Sequence, residues 1–124
     1  MTADLFTLTR EADEEENEEW LILHAAGQEV AFAAVIHCAF GLWIAELAVH
    51  RDYQRQGLAG RLLDTLISEY PDDVLALSCE TFQPDTWPRG GMPADDLAAW
   101  YRRRGFQPEP IKGVEHRMVR CPSA

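Results

Sequence analysis

Cysteine is scarce in this chain, and its scarcity removes whole classes of protein. Three residues, Cys38, Cys79 and Cys121, are too few and too scattered for a disulfide framework or a zinc site. Cys79, inside an apolar run, reads as a small core residue. Long hydrophobic stretches are missing as well. No run reaches the roughly 18–20 apolar residues that cross a bilayer. Met1–Asp4 show no basic segment followed by an apolar one, so no signal peptide is expected and the cytoplasm is the expected compartment. Positive charge is almost absent from the first half. Residues 1–50 hold ten acids and one base, Arg10, whereas residues 51–124 hold eleven acids and ten bases. The net charge of −10, with the acid run Glu11–Glu19, disfavours nucleic acid and anionic membrane as partners. That run reads as a solvated segment, helical or irregular, and as a field that would attract a cationic acceptor such as an amine. His24, His37, His50 and His116 show no metal-ligand spacing, so no metal is expected.

What is present suits one globular domain over 1–124, with 47% apolar residues. Asp4–Arg10 alternates as a short strand. Trp20–His24, Val30–Cys38 and Leu42–His50 read as strands of an antiparallel meander, with a turn at 25–29 where Gly27 supplies a positive φ. Leu58, Leu62, Leu63, Leu66 and Ile67 share one helical stripe, which stops before Pro71. Val74–Glu80 reads as a buried strand reached by a helical crossover, hence parallel to Leu42–His50. The Pro/Gly-rich stretch 81–94, with Trp87 as an aromatic that would cap an acceptor or pin the loop, reads as a long loop. A second helix runs from Ala94/Asp95 to about Arg104, with Gly105 beyond its end. Phe106-Gln107 and Val114–Cys121 close the sheet.

The informative junction is Gln54-Arg55-Gln56-Gly57-Leu58-Ala59-Gly60-Arg61, between a strand and a helix start. The first helical N–H groups lack intrahelical acceptors and carry the positive end of the dipole, which together form an anion site. Gly57 and Gly60 allow close approach of a ligand to the backbone. Arg51, Arg55 and Arg61 add charge. The pattern is neither a P-loop nor G-x-G-x-x-G.

Gln54-x-x-Gly57-x-Ala59 resembles the Q/R-x-x-G-x-G/A motif of the GCN5-related N-acetyltransferases, and Ala99-Trp100-Tyr101-Arg102-Arg103-Arg104-Gly105-Phe106 resembles the family's later helix ending in Y-x-x-x-G-F. The resemblance spans roughly residues 18–120. It implies a mixed, mostly antiparallel α+β sheet with splayed central parallel strands and two main helices. It also implies acetyl-CoA as co-substrate. The pantetheine would be held by the backbone of Leu47, Ala48 and Val49, and the pyrophosphate by the segment Gln54, Arg55, Gln56, Gly57, Leu58, Ala59, Gly60 and Arg61. Tyr101 occupies the place of the phenol that protonates the leaving thiolate. Glu46, or Glu80 at the end of the next strand, would serve as base. Glu46, Ala48 and His50 would share a strand face opposite Leu47 and Val49.

Two departures stand beside the resemblance. The family's helices between its first two strands are trimmed here to about eight residues, which opens the acceptor side. Ala94 replaces an asparagine that helps hold pantetheine. Two functions follow as expectations. One is an N-acetyltransferase that moves an acetyl group to a primary amine by direct attack in a ternary complex. The other is a catalytically weak acetyl-CoA sensor that regulates a partner protein. A small-molecule or peptide amine, cationic in character, would be the acceptor, and a homodimer is an open alternative to a monomer.

Overall fold

The computed structural model describes residues 5–54, 56–79 and 94–122. Seven strands form one sheet in the order β1-β2-β3-β4-β5-β7-β6: β1 (Thr7–Asp13), β2 (Glu18–Ala25), β3 (Gln28–Cys38), β4 (Gly41–Val49), β5 (Val74–Ser78), β6 (Gln107–Pro108) and β7 (Arg117–Arg120). Helices α1 (Leu58–Glu69) and α2 (Ala94–Arg102) complete it. β1 to β4 form an antiparallel meander, β4 pairs with β5 in parallel, and β7 returns antiparallel to β5.

The acid run departs from expectation. β1 extends through Glu11 to Asp13, a turn occupies residues 14–17, and β2 resumes at Glu18. Asp13 holds that turn, its Oδ1 accepting from the N–H of Glu15 at 3.1 Å and of Glu16 at 3.3 Å. An edge strand tolerates acids because its outer side chains remain in water. The expected trimming is therefore complete: a turn, with no helix, joins the first two strands. The β2–β3 turn places Ala26 at φ 51° and Gly27 at φ 79°, the two positive values of a primed hairpin turn.

One face of the sheet carries the core. Leu21, Leu23, Ala31, Ala33, Val35, Leu42, Ile44, Leu75, Leu77 and Met118 alternate onto it and meet Leu58, Leu62, Leu63 and Leu66 of α1. Each of those four leucines is at most 3% exposed, and burial of each contributes roughly 1.5–3 kcal/mol. Tyr101 and Phe106 join the same cluster, so α2 packs on the same face as α1. The far end of α1 is tied to the meander by polar contacts. The Arg10 guanidinium forks onto the Glu69 carboxylate and reaches Glu19, whose Oε2 accepts from the Tyr70 hydroxyl at 2.7 Å.

Candidate active site

The sheet comes apart at one point. β4 carries an extra residue, Ala45: Ile44 pairs with Val35 and Glu46 with Ala34, which leaves Ala45 unopposed. A bulge of this kind bends its strand and ends local pairing. The parallel ladder with β5 runs from Gly41↔Val74 to Ile44↔Leu77 and stops there. β4 continues to Val49 paired with β3 alone, while β5 keeps its pairing with β7 through Ser78. A wedge therefore opens between the two parallel strands.

The backbone of β4 has groups to offer into that wedge. His50 N–H donates to Val30 O at 2.8 Å, so the bonded direction at this end of β4 alternates through His50, Ala48 and Glu46 toward β3. Leu47 and Val49 turn their backbone groups the other way, toward the gap. Ala48 directs its own toward Phe32, its partner on β3. The Val49 carbonyl accepts from Gln54 Nε2 at 3.3 Å, so the Gln54 amide braces the turn against the end of β4. Side chains follow the expected split: Leu47 and Val49 pack on the core, while Ala48 is buried on the other face and Glu46 is half-buried there. Glu46 thus stands at the wedge, on the sheet face opposite α1 and α2.

The turn expected to hold an anion is built as its residues require. A short 3₁₀ turn, Arg51–Tyr53, leads out of β4, and His50 Nδ1 accepts from the Asp52 N–H at 3.2 Å. Gly57 then adopts the left-handed region at φ 75°, ψ 15°, as the residue before α1, and no side chain caps the helix. The first intrahelical bond at this end is Arg61 N–H to Gly57 O, 2.9 Å, so the N–H groups of Leu58, Ala59 and Gly60 have no acceptor within the helix. A Cβ at Gly57 would meet nothing within 4 Å, so the space before the helix is open. Gln56 and Arg61 are exposed, Leu58 is buried as an anchor, and Ala59 is half-buried. Gly60 has a different reason to be glycine: the Arg104 guanidinium lies where its Cβ would be. Arg55 and Glu80, both expected at the site, lie outside the described residues, as does Trp87.

Tyr101 is 5% exposed, flanked by Trp100 at 5.1 Å and Phe106 at 5.6 Å between ring centroids, both edge-on. Burial, and secondarily the neighbouring Cys79 thiol, push its hydroxyl well above the ordinary tyrosine value. A phenol so placed stays protonated at every physiological pH. Cys79 directly follows the last residue of β5, so the phenol that its thiol influences lies near the end of that strand.

One element escaped the sequence reading. Beyond the end of β5, an open hollow of about 430 Å³ is lined by Ser78, Gly113, Val114, Glu115 and His116. His116 O accepts from Cys79 N–H at 2.7 Å, which fixes this loop beside the phenol. Glu115 and His116 are both exposed there, a carboxylate and an imidazole beside the end of β5. The only local signal was a Gly113 turn, visible in the sequence but without direction. Among the described residues no cluster of His, Cys, Asp or Glu could hold a metal ion, and no helix is long and apolar enough to cross a membrane.

The sheet parts between two parallel strands, a glycine leads into the helix that follows the first of them, and a buried phenol lies near the end of the second. Residues 16–108 match the acetyltransferase (GNAT) domain family, so the chain belongs to the GNAT acetyltransferases, a family that uses acetyl-CoA. It is 36% identical over 109 residues to a mycothiol acetyltransferase of Arthrobacter sp. (strain FB24); the match takes in 86% of this chain and 28% of that protein. The chain thus spans little more than a quarter of that relative's length.

Solved structures agree on the fold. The ribosomal-protein-S18-alanine N-acetyltransferase of Escherichia coli superposes with a TM-score of 0.64 at 24% identity, over 88% of this chain and 72% of that one. A GNAT acetyltransferase from Elizabethkingia anophelis, solved with acetyl-CoA bound, gives 0.61 at 17% identity, over 94% and 96%. The PaiA N-acetyltransferase of Thermoplasma acidophilum, in complex with coenzyme A, gives 0.62 at 14% identity, over 87% of this chain and 63% of that chain.

Proposed function

We propose that residues 1–124 act as one acyl-CoA-binding domain that transfers an acetyl group from acetyl-CoA to a primary amine. The observation that carries this reading is the alignment of the open wedge after Ile44–Leu77 with the uncapped start of α1 and with Tyr101 beside Cys79. The residues present fit the co-substrate. The N–H groups of Leu58, Ala59 and Gly60, which have no acceptor within the helix, suit a pyrophosphate, and the gap-facing backbone of Leu47 suits a pantetheine amide. Acetyl-CoA would supply an activated thioester.

The chain's own residues would do the rest. A neutral amine attacks the carbonyl carbon, the carbon–sulfur bond breaks, and the thiolate takes its proton from the Tyr101 hydroxyl. Tyr101, held protonated by its burial, has a proton to give in that step. Glu46 lies on the opposite sheet face, so acceptor and donor would approach from two sides, with Glu46 removing the amine's proton directly or through water. Glu80 is the second candidate for that role. The acidic field of the first half favours a cationic acceptor.

The test is thiol release from acetyl-CoA by the purified chain with a polyamine, a lysine-containing peptide and an alanine-terminated peptide. Release with any acceptor above the no-acceptor rate supports transfer. Tight cofactor binding without release from any acceptor favours the sensor reading, which the missing helices between β1 and β2 motivate.

A further inference from the structure

Arg104 belongs to neither sequence motif as a contact residue, yet its surroundings prepare it to hold an anion. Its backbone is pinned on both sides: its N–H donates to Tyr101 O at 2.9 Å, and its own carbonyl accepts from Arg120 Nε at 3.1 Å. The guanidinium carbon then lies 4.1 Å from the centroid of the Trp100 ring. Stacking of this kind holds a guanidinium in place without consuming its N–H donors. Nε faces Asp64 Oδ1 at 3.3 Å. One terminal nitrogen rests against Gly60, in the space a Cβ would fill. Among the described residues the two terminal nitrogens have no acceptor.

Gly60 is the third residue of α1 and carries one of the three N–H groups without an intrahelical acceptor. Arg104 therefore delivers a full positive charge to the same helical turn that offers backbone donors. Its Asp64 partner is 63% exposed, so the pair is well solvated and offsets that charge weakly. A substituent at position 60 would push the guanidinium away.

We propose that Arg104 is a side-chain ligand for the phosphate of coenzyme A seated at the start of α1, a specificity residue supplied by the turn that follows α2. This rests on the acetyl-CoA reading above. Charge-assisted bonds from a guanidinium fork are roughly twice as strong as neutral ones, and their loss is felt as affinity.

The test is calorimetric titration of the full chain with coenzyme A at low and high salt, for wild type, R104Q, R104K and D64N, with thermal melts as the control for folding. R104Q is expected to weaken binding at least tenfold and to flatten its salt dependence. R104K keeps the charge and loses the fork, so it should fall between wild type and R104Q. D64N removes the weakly competing carboxylate and should leave binding at the wild-type level or slightly tighter, whereas a purely structural salt bridge would make it weaker. Wild-type affinity in R104Q, or weaker binding in D64N, overturns the assignment; the second result decides even if R104Q fails to fold. Wild type that binds no coenzyme A overturns the cofactor reading itself, and the inference with it.

Discussion

Ile44 and Leu77 form the last pair of the parallel ladder, and the next residue of β4, Ala45, is the bulge that ends it. The place where the sheet opens is thus set by one extra residue. Everything assigned to the site lies just beyond that pair: the gap-facing backbone of Leu47, the turn to α1, and Tyr101 beside Cys79.

The start of that ladder is equally constrained. Gly41 has φ 144°, and a Cβ there would run into the backbone of Val74, its partner on β5. Neither strand can shift without breaking the pairing that defines the wedge. Gly41→Ala should cost several kcal/mol, at the severe end for point substitutions, because strain and a backbone clash add. Urea denaturation of the variant against wild type measures it.

Gly57→Ala separates strain from contact. The left-handed conformation costs an L-residue roughly 1–2 kcal/mol, and nothing else opposes the new methyl. The methyl would also stand at the mouth of the proposed pyrophosphate site. The variant should lose about 1 kcal/mol of stability and at least tenfold in coenzyme A affinity. Denaturation and calorimetry on the same preparation read the two effects separately.

Tyr101→Phe removes only the hydroxyl. That group is buried and has no hydrogen-bond partner among the described residues, so stability should change by less than about 1 kcal/mol in either direction. Thiol release should fall at least a hundredfold, the usual scale for a lost general acid, with acetyl-CoA affinity unchanged. Equal turnover in the variant would remove Tyr101 from the chemistry.

Two tyrosines make the fold sensitive to alkali. Burial, reinforced by the hydrogen bond to Glu19, pushes the Tyr70 hydroxyl up to about 12, and Tyr101 is raised further by burial. Above pH 10 the unfolded chain loses these protons while the folded chain keeps them, so the folded state binds more protons and stability falls as pH rises. The contribution is fully present below pH 10 and declines through pH 12. Denaturation midpoints between pH 9 and 11.5 should fall in wild type and fall less steeply in Tyr70→Phe.

The sequence made the central elements legible because their signals are strong and local. Alternation marked β3 and β4, the leucine stripe marked α1, and the glycine before that stripe marked the left-handed turn at Gly57. The helix limits shifted by a residue or two, with α1 ending at Glu69 and α2 at Arg102. The acid run misled, because charge density suggested an irregular or helical segment where an edge hairpin accommodates the same acids in water. The bulge at Ala45 was invisible because an extra apolar residue in an apolar strand leaves no mark; only the pairing with Ala34 and Val35 reveals it. The role of Gly60 was also hidden, since it depends on Arg104, forty-four positions away along the chain. The hollow at Glu115 and His116 forms only when β7 folds back beside β5.

The most direct test of the account is a calorimetric titration of the purified chain with acetyl-CoA, with free coenzyme A as the comparison. The wedge and the uncapped α1 start predict near-stoichiometric binding of both at micromolar concentration. Absence of binding at millimolar acetyl-CoA would contradict the account, and would leave Gly57 as a turn residue and the parting of β4 from β5 as a feature of the fold without a ligand.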